Sequence, residues 1–319
     1  MGIRYLNTYI KNNCSHGLSN VNIRNLSGNS LAIDTSIYMY KYEMDNKLIE
    51  NITRLVNLFI INRITPIFIF DGKPPEEKLQ LLQIRRERRR EASSQCQELL
   101  NKIETGDADE YDITKYHSLK QEATRITKDK VDSVKSLLTN LGVTYYTANG
   151  EADQLCASMV INGYCWGCVS DDMDMFVYGC KNIVRNVDIH NKTATVYKLD
   201  MILHELNISF VNFKQVCVMA GTDYNNEIDD NQSLNIYSAF KLYNRFTKKV
   251  KYDNMTFYDW LRHYIKYNVD YELLHKIYKM FEVKNDICIE NNEENTFITQ
   301  SNNILTNDCI VEYSYPTCS

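Results

Sequence analysis

The chain has 319 residues, 44% of them hydrophobic and 24% charged, with only 4 Pro and 11 Gly. This is ordinary globular composition with enough length for a full hydrophobic interior, and it argues against a linker-rich chain. The formal charge of −5 suits no uniformly basic nucleic-acid binder, but leaves room for acids and bases gathered in separate places.

No apolar run reaches the ~18 residues needed to span a membrane, and the opening MGIRYLNTYIKNN holds no signal-peptide core. Leu6 stands where a myristoylation signal wants Ser or Thr. The ten Cys are scattered, as expected of a reducing intracellular compartment. In chain order, buried strands are predicted at Leu31 to Asp34, Pro66 to Asp71 and Val143 to Tyr146. An amphipathic helix, roughly Lys47 to Asn62, separates the first two, with Leu48, Ile52, Leu55, Val56 and Phe59 on one face. The β-α-β alternation predicts a parallel sheet. A helix at Glu151 to Ile161, a strand at Cys165 to Ser170 and a strand pair near Asn182 to Val187 and Thr193 to Tyr197 follow, then mostly helix. The charged interval between Asp71 and Glu151 cannot be sheet and reads as a helical arch over the sheet edge, about 75–140. The expected organisation is a core over 1–225, a helical region over 226–284 and an Asn-rich, poorly ordered tail over 285–319.

Seven carboxylates mark the points where apolar runs give way to loops or helices: Asp34, Asp71, Glu151, Asp153, Asp172, Asp174 and Asp223. Open α/β sheets place ligand sites at the C-terminal ends of their strands. Acids converging there repel one another unless cations neutralise them. Oxygen-only ligands select Mg²⁺ or Mn²⁺ over Zn²⁺, the footprint of a two-metal phosphodiester-cleaving site. Asp171, beside this set, reads as a supporting residue at most. After Asp71 the chain runs EEKLQLLQIRRERRREA, where Lys78 and Arg85 share a helical face that Arg89 continues. Arg86, Arg88 and Arg90 would line the arch and meet phosphates non-specifically. A solvated Arg/Glu helix is the plain alternative. Cys165-Trp166-Gly167-Cys168 lacks a second pair or a His cluster, so it is read as structural.

The motifs MGI, AIDTS, FIFDGKPP, GEAD, DDMD and GTDY, in this order from Met1 to Tyr224, resemble the flap endonuclease family of structure-specific 5′-nucleases. The Asn- and Ile-rich, diverged form looks most like its poxvirus members. The resemblance implies an α/β 5′-nuclease (PIN-like) fold with a helical arch, two Mg²⁺ with Mn²⁺ able to substitute, and DNA flaps, nicks, junctions or 5′ ends as substrate. It places the seven acids at the metals, Lys78 and Arg85 over the scissile phosphate, and Tyr40 where an aromatic stacks on a base, a contact worth ~1–3 kcal/mol. Asp153 stands where the family usually has Glu, one methylene longer. The family's Gly-rich duplex-gripping hairpin is replaced by EIDDNQSL at 227–234, which makes duplex binding through that element doubtful. A sliding-clamp motif is not evident near the C-terminus. The implied function is Mg²⁺-dependent DNA cleavage in replication, recombination or repair, the alternative being a catalytically weak DNA-junction binding or scaffolding protein. The implied place is intracellular: host cytoplasm for a viral chain, the nucleus otherwise.

Overall fold

Apolar runs along the chain assemble into one sheet. The computed structural model describes residues 2–225, 234–249, 255–283, 287–290 and 295–298. Among these the strands are β1 (Leu18–Asn22), β2 (Ser30–Asp34), β3 (Thr65–Phe70), β4 (Tyr145–Ala148), β5 (Gly167–Val169), β6 (Asn182–Asp188), β7 (Thr193–Lys198), β8 (Ile287–Glu290) and β9 (Asn295–Ile298). Their order is β1-β7-β6-β5-β2-β3-β4-β8-β9. The central run from β6 to β4 is parallel throughout, and antiparallel pairs finish both edges.

Alternate residues of each strand enter opposite cores, as the two-residue period requires. Ala32 faces one layer of helices, Leu6–Asn13, Ala152–Ile161 and Phe210–Ala220 among them. Leu31 and Ile33 face the other, made by Thr35–Glu43, Leu48–Ile61 and Lys128–Asn140. Helix Leu48–Ile61 buries Leu48, Ile52, Leu55, Val56 and Phe59, the face predicted from its spacing. Strand β4 begins two residues later than the sequence suggests. The reason is local: Val143 still donates its N–H to Leu138 O (2.9 Å), closing helix Lys128–Asn140 before the strand can start.

The arch is a helical hairpin. Its first helix, Leu79–Thr105, carries 27 residues and stops at Gly106, whose φ of +80° is the left-handed cap conformation glycine adopts freely. The return helix, Glu110–Ala123, starts at Asp109, which accepts from Asp112 N (2.7 Å). The following helix, Lys128–Asn140, instead packs Val134 and Leu138 into the core. The glycine-free hairpin segment lies outside the described residues, save Leu234 at its end. So does most of the expected tail, within which β8 and β9 extend the β4 edge.

Candidate active site

Strands β2, β3, β4 and β5 are parallel neighbours, so their C-terminal ends share one edge. The chain lays β3 and β4 on one side of β2, then crosses to place β5 on the other. That reversal opens a crevice at the strand ends, where α/β sheets bind ligands. Asp34 ends β2 and Asp71 follows β3. Glu151 is the N-cap of helix Ala152–Ile161, with Asp153 in its first turn. Asp172 and Asp174 follow β5, and Asp223 follows helix Phe210–Ala220.

Short polar contacts hold these acids. Ser170 Oγ donates to Asp34 Oδ2 (3.1 Å) and accepts from Asp172 N (3.2 Å), joining the ends of β2 and β5. Asp172 Oδ1 accepts from Asp174 N (3.0 Å). Asp71 accepts from Ser36 Oγ (2.5 Å) and Ala152 N (2.8 Å). Two glycines let backbone approach. A Cβ on Gly2 (φ +73°) would lie 2.3 Å from Asp172 Oδ1 and 2.6 Å from Asp174 Oδ1. A Cβ on Gly72 would lie 1.8 Å from Ala148 O, so the glycine of FDGKPP is what lets the β3 and β4 ends pass.

The electrostatics are those of crowded anions. Burial, then the neighbouring Asp71, pushes the Asp34 carboxyl up to about 7. Burial, then Asp34, drives Asp153 well above the carboxylate range, and burial, then Asp172, does the same to Asp174. Asp172 is raised as well, by burial first. Asp153 Oδ1 and Asp174 Oδ1 are shut from solvent with no hydrogen-bond partner. Orphaned buried carboxylate oxygens in an oxygen-only donor set fit hard divalent cations. Among the described residues, no group of three or more Asp, Glu, His or Cys side chains stands arranged to hold a metal ion.

The basic residues meet the acids. Lys78, 8% exposed, donates to Glu151 and stands 3.8 Å from Asp223. Burial pulls its pKa down, but Glu151 and Asp223 outweigh that and the net direction is up. Arg85 donates to Asp223 Oδ2 (3.0 Å). Arg86, Arg88 and Arg90 are exposed along the arch helix. Tyr40 is 37% exposed with the Arg89 guanidinium 6.0 Å from its ring centroid, whereas Tyr38 is buried. Asp171 points away, accepting from Asn186 N (2.8 Å). Cys165 and Cys168 lie in the core, and burial lifts the Cys165 thiol to about 12, far from a reactive thiolate.

Sequence reasoning gave no role to Ser36, Ser170 or Tyr224, whose hydroxyl donates to Glu151 Oε2 (2.8 Å). Each adjoins or nearly adjoins a predicted acid, which was the available signal. It also missed a cavity of about 340 Å³ between helices Leu6–Asn13 and Ile236–Lys249, where Lys241, Arg245 and Lys248 stand beside Tyr9, Tyr237 and Phe240.

The doubly covered parallel sheet with acids at its switch point is a 5′-nuclease (PIN-like) fold. Over 89% of the chain it superposes on the catalytic core of Rad2 in complex with DNA substrate (TM-score 0.62, 20% identity, 88% of that chain). It also matches flap endonuclease-1 from Methanococcus jannaschii (TM-score 0.58, 21% identity, 88% of this chain and 84% of that one). The XPG N-terminal domain model matches residues 1–92 and the XPG I-region model residues 142–223. Flap endonuclease 1 of Entamoeba dispar is 30% identical over 267 residues, spanning 77% of this chain and 68% of that protein. The same enzyme of Theileria annulata is 29% identical over 79% of this chain and 52% of its own length. The chain belongs to the XPG/flap endonuclease family, while spanning only about half the length of some curated relatives.

Proposed function

We propose that this chain is a divalent-metal-dependent nuclease hydrolysing DNA phosphodiesters at 5′ flaps, 5′ ends, nicks or junctions, in replication, recombination or repair. The observation that carries this is the crowding of Asp34, Asp153, Asp172 and Asp174 at one sheet edge, all with raised pKa, with Lys78 and Arg85 both paired to Asp223, the seventh acid of the set. Family membership and the DNA held by the Rad2 neighbour support DNA as the substrate.

Asp34, Asp71, Glu151, Asp153, Asp172, Asp174 and Asp223 would hold two Mg²⁺, or Mn²⁺ in their place. Bound there, such ions supply an activated water and charge stabilisation at the leaving oxygen. The chain's own residues do the rest. Lys78 and Arg85 exchange their carboxylate partners for the scissile phosphate and stabilise the charge that develops on it. Arg86, Arg88, Arg89 and Arg90 steer the backbone under the arch, and Tyr40 offers a face to an unpaired base. The site of action is proposed as intracellular from the cysteine pattern, nuclear or, for a viral chain as the resemblance and the Asn- and Ile-rich composition suggest, in the host cytoplasm.

The test is incubation of labelled flap, nicked, gapped and blunt DNA with purified protein, with and without Mg²⁺. Metal-dependent cleavage that disappears in Asp172→Asn and Asp174→Asn is expected. Binding without cleavage would turn the reading to a junction-binding scaffold, and cleavage surviving in both variants would reject this site.

A further inference from the structure

We infer that Arg185 is a positioning residue of the reaction centre, clamping the Asp172–Asp174 turn in the shape a divalent cation needs; this rests on the metal-nuclease reading above. Arg185 lies in β6, which neighbours β5, and only 7% of it is exposed. Its Nη2 donates to Asp171 O (2.6 Å) and its Nη1 lies against Met173 Sδ. These two residues flank Asp172, so one planar group holds the turn on either side of that acid. The guanidinium lies against the Tyr197 ring, 5.6 Å from its centroid.

Strand β6 is bent to make this possible. Its pairing with β7 shifts register between Arg185 and Asp188, and Asn186 takes a φ of +51°. Bulges of this kind re-aim side chains beside active sites. The bend also turns Asn186 N onto Asp171 Oδ1 (2.8 Å), a second tether on the same turn. On the far side, Asp172 N is held by Ser170 Oγ, and Asp172 Oδ1 by Asp174 N. The turn is therefore gripped from both β5 and β6.

Packing alone does not explain the residue. A guanidinium stays charged when buried, and an apolar side chain of similar length would fill the space at less desolvation cost. Nε of Arg185 has no hydrogen-bond partner and stands 4.0 Å from the nearest Asp171 oxygen, so the pair is not an optimised ion bridge. What the guanidinium provides is one rigid plane that bonds Asp171 O and abuts Met173 at the same time. Lys, with a flexible single ammonium, cannot reproduce that plane.

Residues that orient metal ligands typically change metal affinity or activity by about 10–100-fold when removed. Arg185→Lys and Arg185→Met are each expected to weaken Mg²⁺ binding at least about tenfold. The readouts are calorimetric titration of the DNA-free protein with Mg²⁺ and the Mg²⁺ concentration giving half-maximal cleavage. DNA affinity measured without metal should move less than about twofold, since Arg185 is buried away from the arch. Arg185→Lys retains the charge and guards against a variant that fails to fold; near-ultraviolet circular dichroism reports whether it does. A folded Arg185→Lys that binds Mg²⁺ as the wild type does overturns the inference. Equal losses of metal affinity and metal-free DNA affinity also overturn it, as a general loosening of the fold. A wild type that shows neither Mg²⁺ binding nor cleavage rejects the parent reading instead.

Discussion

Lys78 and Lys214 are both buried ammonium groups, and their surroundings set opposite directions. Lys78 sits between Glu151 and Asp223, which over-compensate for burial and raise its pKa. In the proposed reaction, a cation held so firmly would already stand beside the phosphate. Removing one preorganised donor of this kind commonly costs ~10²–10³-fold in kcat, so Lys78→Ala and Arg85→Ala should each lose cleavage on that scale in single-turnover assays, with DNA affinity falling far less. Lys214, 4% exposed, has the Tyr278 ring 4.3 Å from its nitrogen, and burial pulls its pKa down to about 8. The unfolded chain holds that proton to about 10.4. Between those values the unfolded state binds more protons, so this residue makes stability rise with pH in that window and lowers it at neutral pH. Lys214→Met should raise the melting temperature at pH 7.5 and flatten the rise between pH 8 and 10, as measured by thermal denaturation at each pH.

The arch is the element whose stability is separable from the core. Helix Leu79–Thr105 buries only Leu81, Ala92 and Leu99, and Glu110–Ala123 buries none of its residues. With so little apolar burial, the hairpin belongs to the locally opening part of the structure. A buried Leu→Ala change costs roughly 2–5 kcal/mol in a well-packed site and less where the surroundings relax. Leu99→Ala should therefore speed proteolysis between Leu79 and Ala123 and hydrogen exchange there, while the main unfolding transition barely moves. A large drop of the whole-domain melting temperature would show instead that the hairpin is part of the cooperative core. The sheet behaves differently: Asp34, Ser170 and Asp172 are locked by pairing of β2 with β5 and by buried contacts. A rigid acidic edge beside a softer hairpin, with five arginines over 85–90, suits the proposed reaction, in which the site would admit and then grip a strand.

Across the whole molecule, the net charge of −5 conceals local clusters: carboxylates at the sheet edge, five arginines over 85–90 in the first arch helix, and a second cationic cluster at the cavity of Lys241, Arg245 and Lys248. If that second cluster meets duplex phosphates, log–log salt dependence of DNA binding should flatten by about 0.9 for each contact removed. Lys241→Ala, Arg245→Ala and Lys248→Ala combined, measured by fluorescence anisotropy over a salt series, should show this; an unchanged slope would leave the arch as the principal phosphate contact. Much of the fold was legible from local pattern. Buried parallel strands are continuous apolar runs, so β2, β3 and β5 announced themselves, each followed closely by an acid. Strand β1, LSNVN, did not, because its polar residues become a strand only by pairing with β7. The identities of the seven acids and the face shared by Lys78 and Arg85 were fixed by order and spacing, which are properties of neighbouring residues. Which atoms meet was decided in three dimensions. Asp34 reaches Asp172 through Ser170, and Arg185 reaches the turn beyond β5, only because strands distant in the chain lie side by side. Sequence periodicity reports the burial of one element at a time, whereas convergence of charge at one edge is a property of how the elements pack.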